Sequence, residues 1–344
     1  MRQSLSFLKS GLGIVAMAAT IAAVSPASAQ SRAQLIAQAE SGPPVVWYES
    51  STEEELSKVL AEFNKKYPKI KMRHVRMIGA NQVAARAIQE VQARGTTADL
   101  LSAGVDRSLE LQKAGILQSV NWAQLGINKS VVINEYVVVT SDTIWALAWN
   151  TDKVKEAEVP KTWEELTDPK WAGRIGSWNR AAFYGMISRE WGDAKTTEQV
   201  EKLVKLKPTL FSTTFSLSQQ IGSGEVDLGV VGHFTAQPPM RGGAPIKIRV
   251  LNPAAVNYTY TGISKSGKNT AGAKVFLHWL STPEGGKAYE NATDRSTHFI
   301  PGTRAAELLK GKKIITWPDD QVSQYATLQE KYSKILETVG AVKK

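Results

Sequence analysis

Pro43-Pro-Val-Val-Trp-Tyr-Glu-Ser-Ser-Thr52 runs directly into Glu53-Glu-Glu-Leu-Ser-Lys-Val-Leu-Ala-Glu-Phe-Asn-Lys-Lys-Tyr67, and this junction sets the architecture. A short apolar run after two prolines has the length and composition of a buried strand. The following segment repeats its apolar residues at Leu56, Val59, Leu60 and Phe63, the i, i+3, i+4, i+7 spacing of an amphipathic helix. Hydroxyl residues before it and glutamates in its first turn are helix-start signals, and Pro68 stops it. A strand feeding a helix through a short polar turn is the unit of a parallel α/β sheet.

The unit repeats. Residues 70–77 alternate as a second strand and 80–94 read as a helix. Residues 98–103 are a third strand, and 105–114 a helix after it. The rhythm changes near Glu135, where Tyr136–Thr140 and Ile144–Asn150 read as two adjacent strands with no helix between them. We take this as the crossing into a second lobe. There, strands are expected at 171–177 and 226–232, with helices beginning at 162 and spanning 181–191, 197–206 and 216–222. Strands at 247–251 and 258–263 lead back, and helices at 271–280, 283–292 and 321–339 complete the chain. The expected division is 1–29 a signal peptide, 30–42 a leader, either poorly ordered or a short helix, and 43–138 the first part of lobe 1. Lobe 2 follows at 139–254, then a return to lobe 1 at 255–310 and a C-terminal segment, 311–344, packing on lobe 2.

Composition narrows the function. The chain has 344 residues and no cysteine, which removes disulfides, thiolate metal sites and cysteine nucleophiles. Its four histidines, at 74, 233, 278 and 298, are scattered, so no metal site is expected. Arg2 and Lys9, an apolar run from Gly11 to Val24 and Ser25-Pro-Ala-Ser-Ala29 form a signal peptide cleaved after Ala29. Its loss takes the net charge from +10 to +8 and places the product in a bacterial periplasm. The surplus cations are dispersed, with no basic stripe interleaved with aromatics, so no nucleic-acid partner is expected. Neither a Gly-x-Ser-x-Gly elbow, a His-Glu-x-x-His helix nor a Walker loop is present, which argues against an exported hydrolase. No catalytic residue and no cofactor is assigned.

Val159-Pro-Lys-Thr-Trp-Glu-Glu-Leu-Thr-Asp-Pro-Lys-Trp-Ala-Gly-Arg-Ile175 resembles a run in extracellular solute-binding proteins of bacterial ABC importers. It is similar to the branch that includes binders of ferric iron, hexose phosphate, aminoethylphosphonate, thiamine and polyamines. Ala98-Asp-Leu-Leu101, Leu111-Gln-Lys-Ala-Gly-Ile-Leu117, Leu147-Ala-Trp-Asn-Thr-Asp152 and Gly222-Ser-Gly-Glu-Val-Asp-Leu-Gly229 match further segments of that family, as does Ala273–Tyr289. The resemblance implies a two-lobe, type II periplasmic-binding-protein fold with the ligand in the cleft between lobes joined by crossover strands. It also implies hinge closure, a monomer and an inner-membrane ABC permease as partner. A sensory role beside import is equally compatible with these residues.

Candidate ligand contacts follow from position. Ser50, Ser51 and Thr52 occupy a strand-to-helix turn, where free backbone N–H groups and the helix dipole favour an anion, although such residues also simply cap helices. Asn81 lies in a second strand-to-helix turn. Ser177, Trp178, Asn179 and Arg180 follow the diagnostic run, where the resemblance places ligand contacts. A loop arginine grips carboxylate or phosphate through two parallel hydrogen bonds; its alternative is an ion pair with an acid such as Glu190. Thr213 and Thr214 offer neutral donors at a helix start, and His233 ends a strand. Tyr258 and Tyr260 alternate on one strand face, with strand packing as their other use. Ferric iron wants phenolates, which the resemblance places after the Gly-Glu strand; His233-Phe234 stand there instead. The expected ligand is therefore a small organic anion, a carboxylate, phosphonate or phosphate ester, with a ferric-iron binder of the same fold as the alternative.

Overall fold

The computed structural model describes residues 31–77 and 82–343. The proposed signal peptide and the candidate contact Asn81 lie outside these residues. Helix α1 (Arg32–Ser41), in the segment read as leader, buries Leu35 and Ala39, and Arg32 bonds Tyr67 and the ring of His278. Strand β1 (Val45–Glu49) is followed by α2 (Glu53–Lys66), whose buried residues are the predicted Leu56, Val59, Leu60 and Phe63. Then come β2 (Met72–Arg76), α3 (Gln82–Gln92), β3 (Leu100–Gly104) and α4 (Val105–Lys113). β1 pairs in parallel with both β2 and β3.

The two strands expected at 136–150 are one, β4 (Val137–Asn150), with a shift of register between Val139 and Ser141. Ser141-Asp142-Thr143 looks like a break in sequence, yet the Asp142 carboxylate is buried and accepts hydrogen bonds from the backbone and ring of His298. A long-range partner keeps a polar residue inside a strand.

The second half contains β5 (Ile175–Trp178), α5 (Ala182–Lys205), β6 (Thr209–Phe211), α6 (Thr214–Ser223), β7 (Leu228–Gly232), α7 (Gln237–Arg241) and β8 (Ile246–Arg249). The helix expected to begin at 162 is only a 3-10 turn, Glu164–Thr167. α5 covers both helices expected there, broken by Gly192 at φ 76°, a conformation that glycine adopts without a Cβ penalty. β9 (Ala254–Ile263) runs antiparallel to β4 and β3, so β4 and β9 cross together between the halves. α8 (Thr270–Leu280), α9 (Pro283–Thr293), α10 (Arg304–Leu309), β10 (Ile314–Ile315), α11 (Val322–Glu337) and β11 (Val342–Lys343) finish the chain. The sheet order is β11-β6-β5-β7-β4-β9-β3-β1-β2, with β8 on β4 and β10 on β9. α11 packs on α5, and separate cores form around Trp47–Phe63–Phe276–Trp279 and around Trp163–Trp171–Phe183–Tyr332. No helix among the described residues is long and apolar enough to cross a membrane.

The α8–α9 corner is tight enough to demand a glycine. A Cβ on Gly285 would lie 2.0 Å from the Trp279 carbonyl oxygen, a backbone atom that cannot step aside. Gly285→Ala is expected to lower stability by about 3 kcal/mol, the upper end for overpacking. In urea unfolding, Gly286→Ala is the control: its methyl meets only the Ile300 side chain, at 2.7 Å, and its midpoint should fall less.

Candidate functional site

The carboxyl ends of the parallel strands deliver their loops to one place. β1 ends at Glu49-Ser50-Ser51, and β5, β6 and β7 end at Trp178, Phe211 and Gly232. Arg295, in the loop after α9, joins these two groups. Its guanidinium donates to Ser51 Oγ, lies 3.7 Å from the Glu49 carboxylate, and stands over the Phe234 ring at 4.6 Å. Ser51 belongs to the β1–α2 turn and Phe234 to the turn after β7, so one side chain touches both halves. Burial disfavours its charge, but Glu49 and the Tyr289 hydroxyl outweigh that and hold Arg295 above its ordinary range.

Arg295 stays in place because its loop is built on buried acids. Glu290 accepts hydrogen bonds from Lys287, from Ser296 Oγ at 2.7 Å and from the Arg304 backbone. Burial pushes this carboxyl up, yet those bonds, led by Lys287, bring it below the usual range. Asp294 accepts from Arg241 at 2.5 Å and from Arg304 at 3.2 Å. Asp142 holds His298, whose ring stacks on Tyr258 at 6.0 Å.

The second half contributes an aromatic edge. Trp178 stacks on Trp145 at 5.9 Å, and its Nε1 donates to the Ser212 carbonyl, which fixes the indole against the β6–α6 turn. Arg180 is exposed, stands over the Trp178 ring at 5.5 Å and forms no ion pair among the described residues. Its expected alternative partner, Glu190, is taken by Lys313. The cavity behind Trp178 measures about 20 Å³, room for about one water, so a solute must use the open face.

The remaining candidates divide. Ser177 and Asn179 flank Trp178; Asn179 N–H donates to Phe211 and its Oδ1 is buried without a partner among the described residues. Thr213 caps α6 by accepting from Ser216 N–H, with Thr214 next to it. Thr52 forms a complete capping box with Glu55, and Ser51 N–H is taken by Glu49. Three N–H groups of that turn, those of Ser51, Thr52 and Glu55, are thus already used, and Ser50 is exposed. His233 does not face the cleft: the turn after Gly232 tucks it fully inside, where Nδ1 accepts from Ile144 N–H at 3.3 Å. Tyr260 is buried and donates to Asp319, while Tyr258 packs between His298 and Phe299; burial raises both phenols above their ordinary range. Arg295, Phe215 and Phe234 were not among the predicted contacts. A hydroxyl-rich turn carrying an aromatic, Thr213-Thr-Phe215, was the one local signal.

Chemically, the arrangement offers guanidinium groups and hydroxyls, which can donate hydrogen bonds, and aromatic rings, which can pack against a flat group. Among the described residues no group of three or more His, Asp and Glu is placed to hold a metal ion.

A family model described as bacterial extracellular solute-binding protein matches residues 58–325. An Fe(3+)-binding periplasmic protein of Serratia marcescens is 25% identical over 203 residues, 55% of this chain and 58% of that protein. The match thus spans less than two thirds of that relative's length. The substrate binding protein of an ABC transporter from Agrobacterium tumefaciens superposes with a TM-score of 0.72 at 15% identity, covering 86% of this chain and 95% of the other. The periplasmic binding protein AfuA from Actinobacillus pleuropneumoniae, with exogenous fructose-6-phosphate bound, gives 0.67 at 18% identity, covering 86% and 98%. These likenesses show the type II periplasmic-binding-protein fold.

Proposed function

We propose that this chain, which belongs to the family of bacterial extracellular solute-binding proteins, captures a small organic anion between its two halves and delivers it to the membrane permease of an ABC importer. Like its family, it is a binding protein and not an enzyme. One observation carries the choice of ligand: Arg180 and Arg295 both stand over aromatic rings at the carboxyl ends of the strands, and Arg180 has no acidic partner among the described residues. A guanidinium left unpaired in a cleft binds carboxylate or phosphate in a two-pronged fashion. An anion touching groups from both halves favours the closed arrangement by its differential affinity, and that difference drives the hinge. β4 and β9, the two crossing strands, are the natural hinge. In this reading residues 1–29 direct export, and the mature monomer works in the periplasm.

The test is titration of the purified protein with acetate, methyl phosphate and methylphosphonate, read by tryptophan fluorescence through Trp178 and by calorimetry. Arg180→Ala is expected to weaken binding of the bound probe about tenfold, the worth of one exposed charge-assisted contact. Unchanged affinity in that variant removes the clamp. A second reading, ferric iron, is favoured by the similarity to the Fe(3+)-binding periplasmic protein of Serratia marcescens. Ferric nitrilotriacetate belongs in the same titration: a coloured complex with a phenolate-to-iron band would support it over the organic anion.

A further inference from the structure

We infer that the anion this site takes carries an aromatic or other planar ring, held on an edge formed by Trp178, Phe215 and Phe234. The inference rests on the anion-binding reading above and adds the class of the rest of the molecule.

Phe215 is 42% exposed, and only Val342 among the described large hydrophobic residues shares that state. Single exposed apolar side chains are commonplace. What distinguishes Phe215 is its place. It sits in the first turn of α6, beside the exposed capping hydroxyl of Thr213, and meets Phe234 edge-to-face at 5.8 Å. Phe234 in turn lies under Arg295, which reaches across from the other half. On the other side of the β6–α6 turn, the half-buried Trp178 is pinned by its bond to Ser212 and lies under Arg180.

Ring faces and guanidinium groups therefore alternate along one edge. Arg180 has its flat face occupied by the Trp178 ring while its N–H edge remains for an anion; Arg295 lies over Phe234 and already donates to Ser51 beside Glu49. An inorganic or short aliphatic anion would use the N–H edge of Arg180 and leave Phe215 in water. A ring attached to the anion would cover Phe215, gaining apolar burial and an offset or edge-to-face contact. The pinned indole and the Phe215–Phe234 pair need no large rearrangement to receive it, which limits the ordering cost of binding.

The experiment compares matched pairs by calorimetry on the mature chain: phenyl phosphate with methyl phosphate, phenylphosphonate with methylphosphonate, and benzoate with acetate. The inference expects at least one phenyl compound to bind tenfold or more tightly than its methyl partner. It also expects Phe215→Ala to remove most of that difference while leaving the methyl compound's affinity within twofold. Phe215 is exposed, so this variant should fold; its unfolding midpoint and circular dichroism check that. Equal affinities within the pairs, or an unchanged gap in Phe215→Ala, overturn the inference while leaving the anion reading standing. Binding of none of the six, with a folded protein, overturns both.

Discussion

Arg295→Ala is expected to abolish tight anion binding, weakening it about a hundredfold, and to destabilise the protein by about 3 kcal/mol. Both effects come from one geometry. The guanidinium is 15% exposed, its Glu49 partner 3%, and the carboxylate otherwise receives Ser51 N–H and weaker hydroxyl contacts. Removing the cation strands a buried anion, and the cleft loses a positive charge and a donor. Binding and stability can be separated. In Glu49→Gln/Arg295→Met both charges go, so most of the stability should return in urea unfolding while affinity for the bound probe anion stays low. Arg295→Lys keeps the charge but loses the planar stack over Phe234 and the forked donors, and should fall between. A double variant that recovers stability and also binds like the unaltered protein would show that Arg295 is a strut between halves and takes no part in capture.

The dependence on distant partners explains which features the sequence disclosed. The first three strand–helix units were legible because strand length, helix period and caps are local, and α2 buries the four residues its spacing names. Trp178, Arg180, Thr213 and Thr214 were legible as a group because short loops after parallel strands open on one edge of an α/β sheet. β4 was misread as two strands since nothing near Asp142 announces that His298, 156 residues later, will satisfy it. Arg295 was missed for the same reason: Ser51 is 244 residues away, and Asp294-Arg295-Ser296 alone reads as a polar loop. Phe234 was noticed only for what it was not, a tyrosine at the place where the resemblance expects phenolates. His233 was placed correctly at the end of a strand. However, strand position fixes the end of the sheet and says nothing of how a following 3-10 turn, here His233–Ala236, aims its first side chain.

That turn has a consequence for acid stability. His233 is fully buried, its Nδ1 occupied by Ile144 N–H and its Nε2 without a partner among the described residues. Such a ring is neutral. Burial is the main reason its pKa is pushed down to about 3, with the Arg304 and Arg295 charges adding to it and Glu290 opposing. In the unfolded chain the ring titrates near 6.5. Between those values the unfolded state binds a proton that the folded state does not, so acid favours unfolding. The stabilising contribution is therefore complete above about pH 6.5 and drains as pH falls toward 3. At pH 5 the loss is on the order of 2 kcal/mol from this residue alone. His233→Gln keeps an acceptor for Ile144 N–H and has nothing to titrate. Stability measured by urea unfolding from pH 7.5 to 4 should then fall less steeply in the variant, by up to one proton's worth, about 1.4 kcal/mol per pH unit. The variant should start lower at pH 7.5, since an amide fills the imidazole space imperfectly, and the two profiles should converge or cross on acidification. Parallel profiles would mean that His233 takes up a proton as readily in the folded protein as in the unfolded chain, so that its burial leaves its titration unchanged.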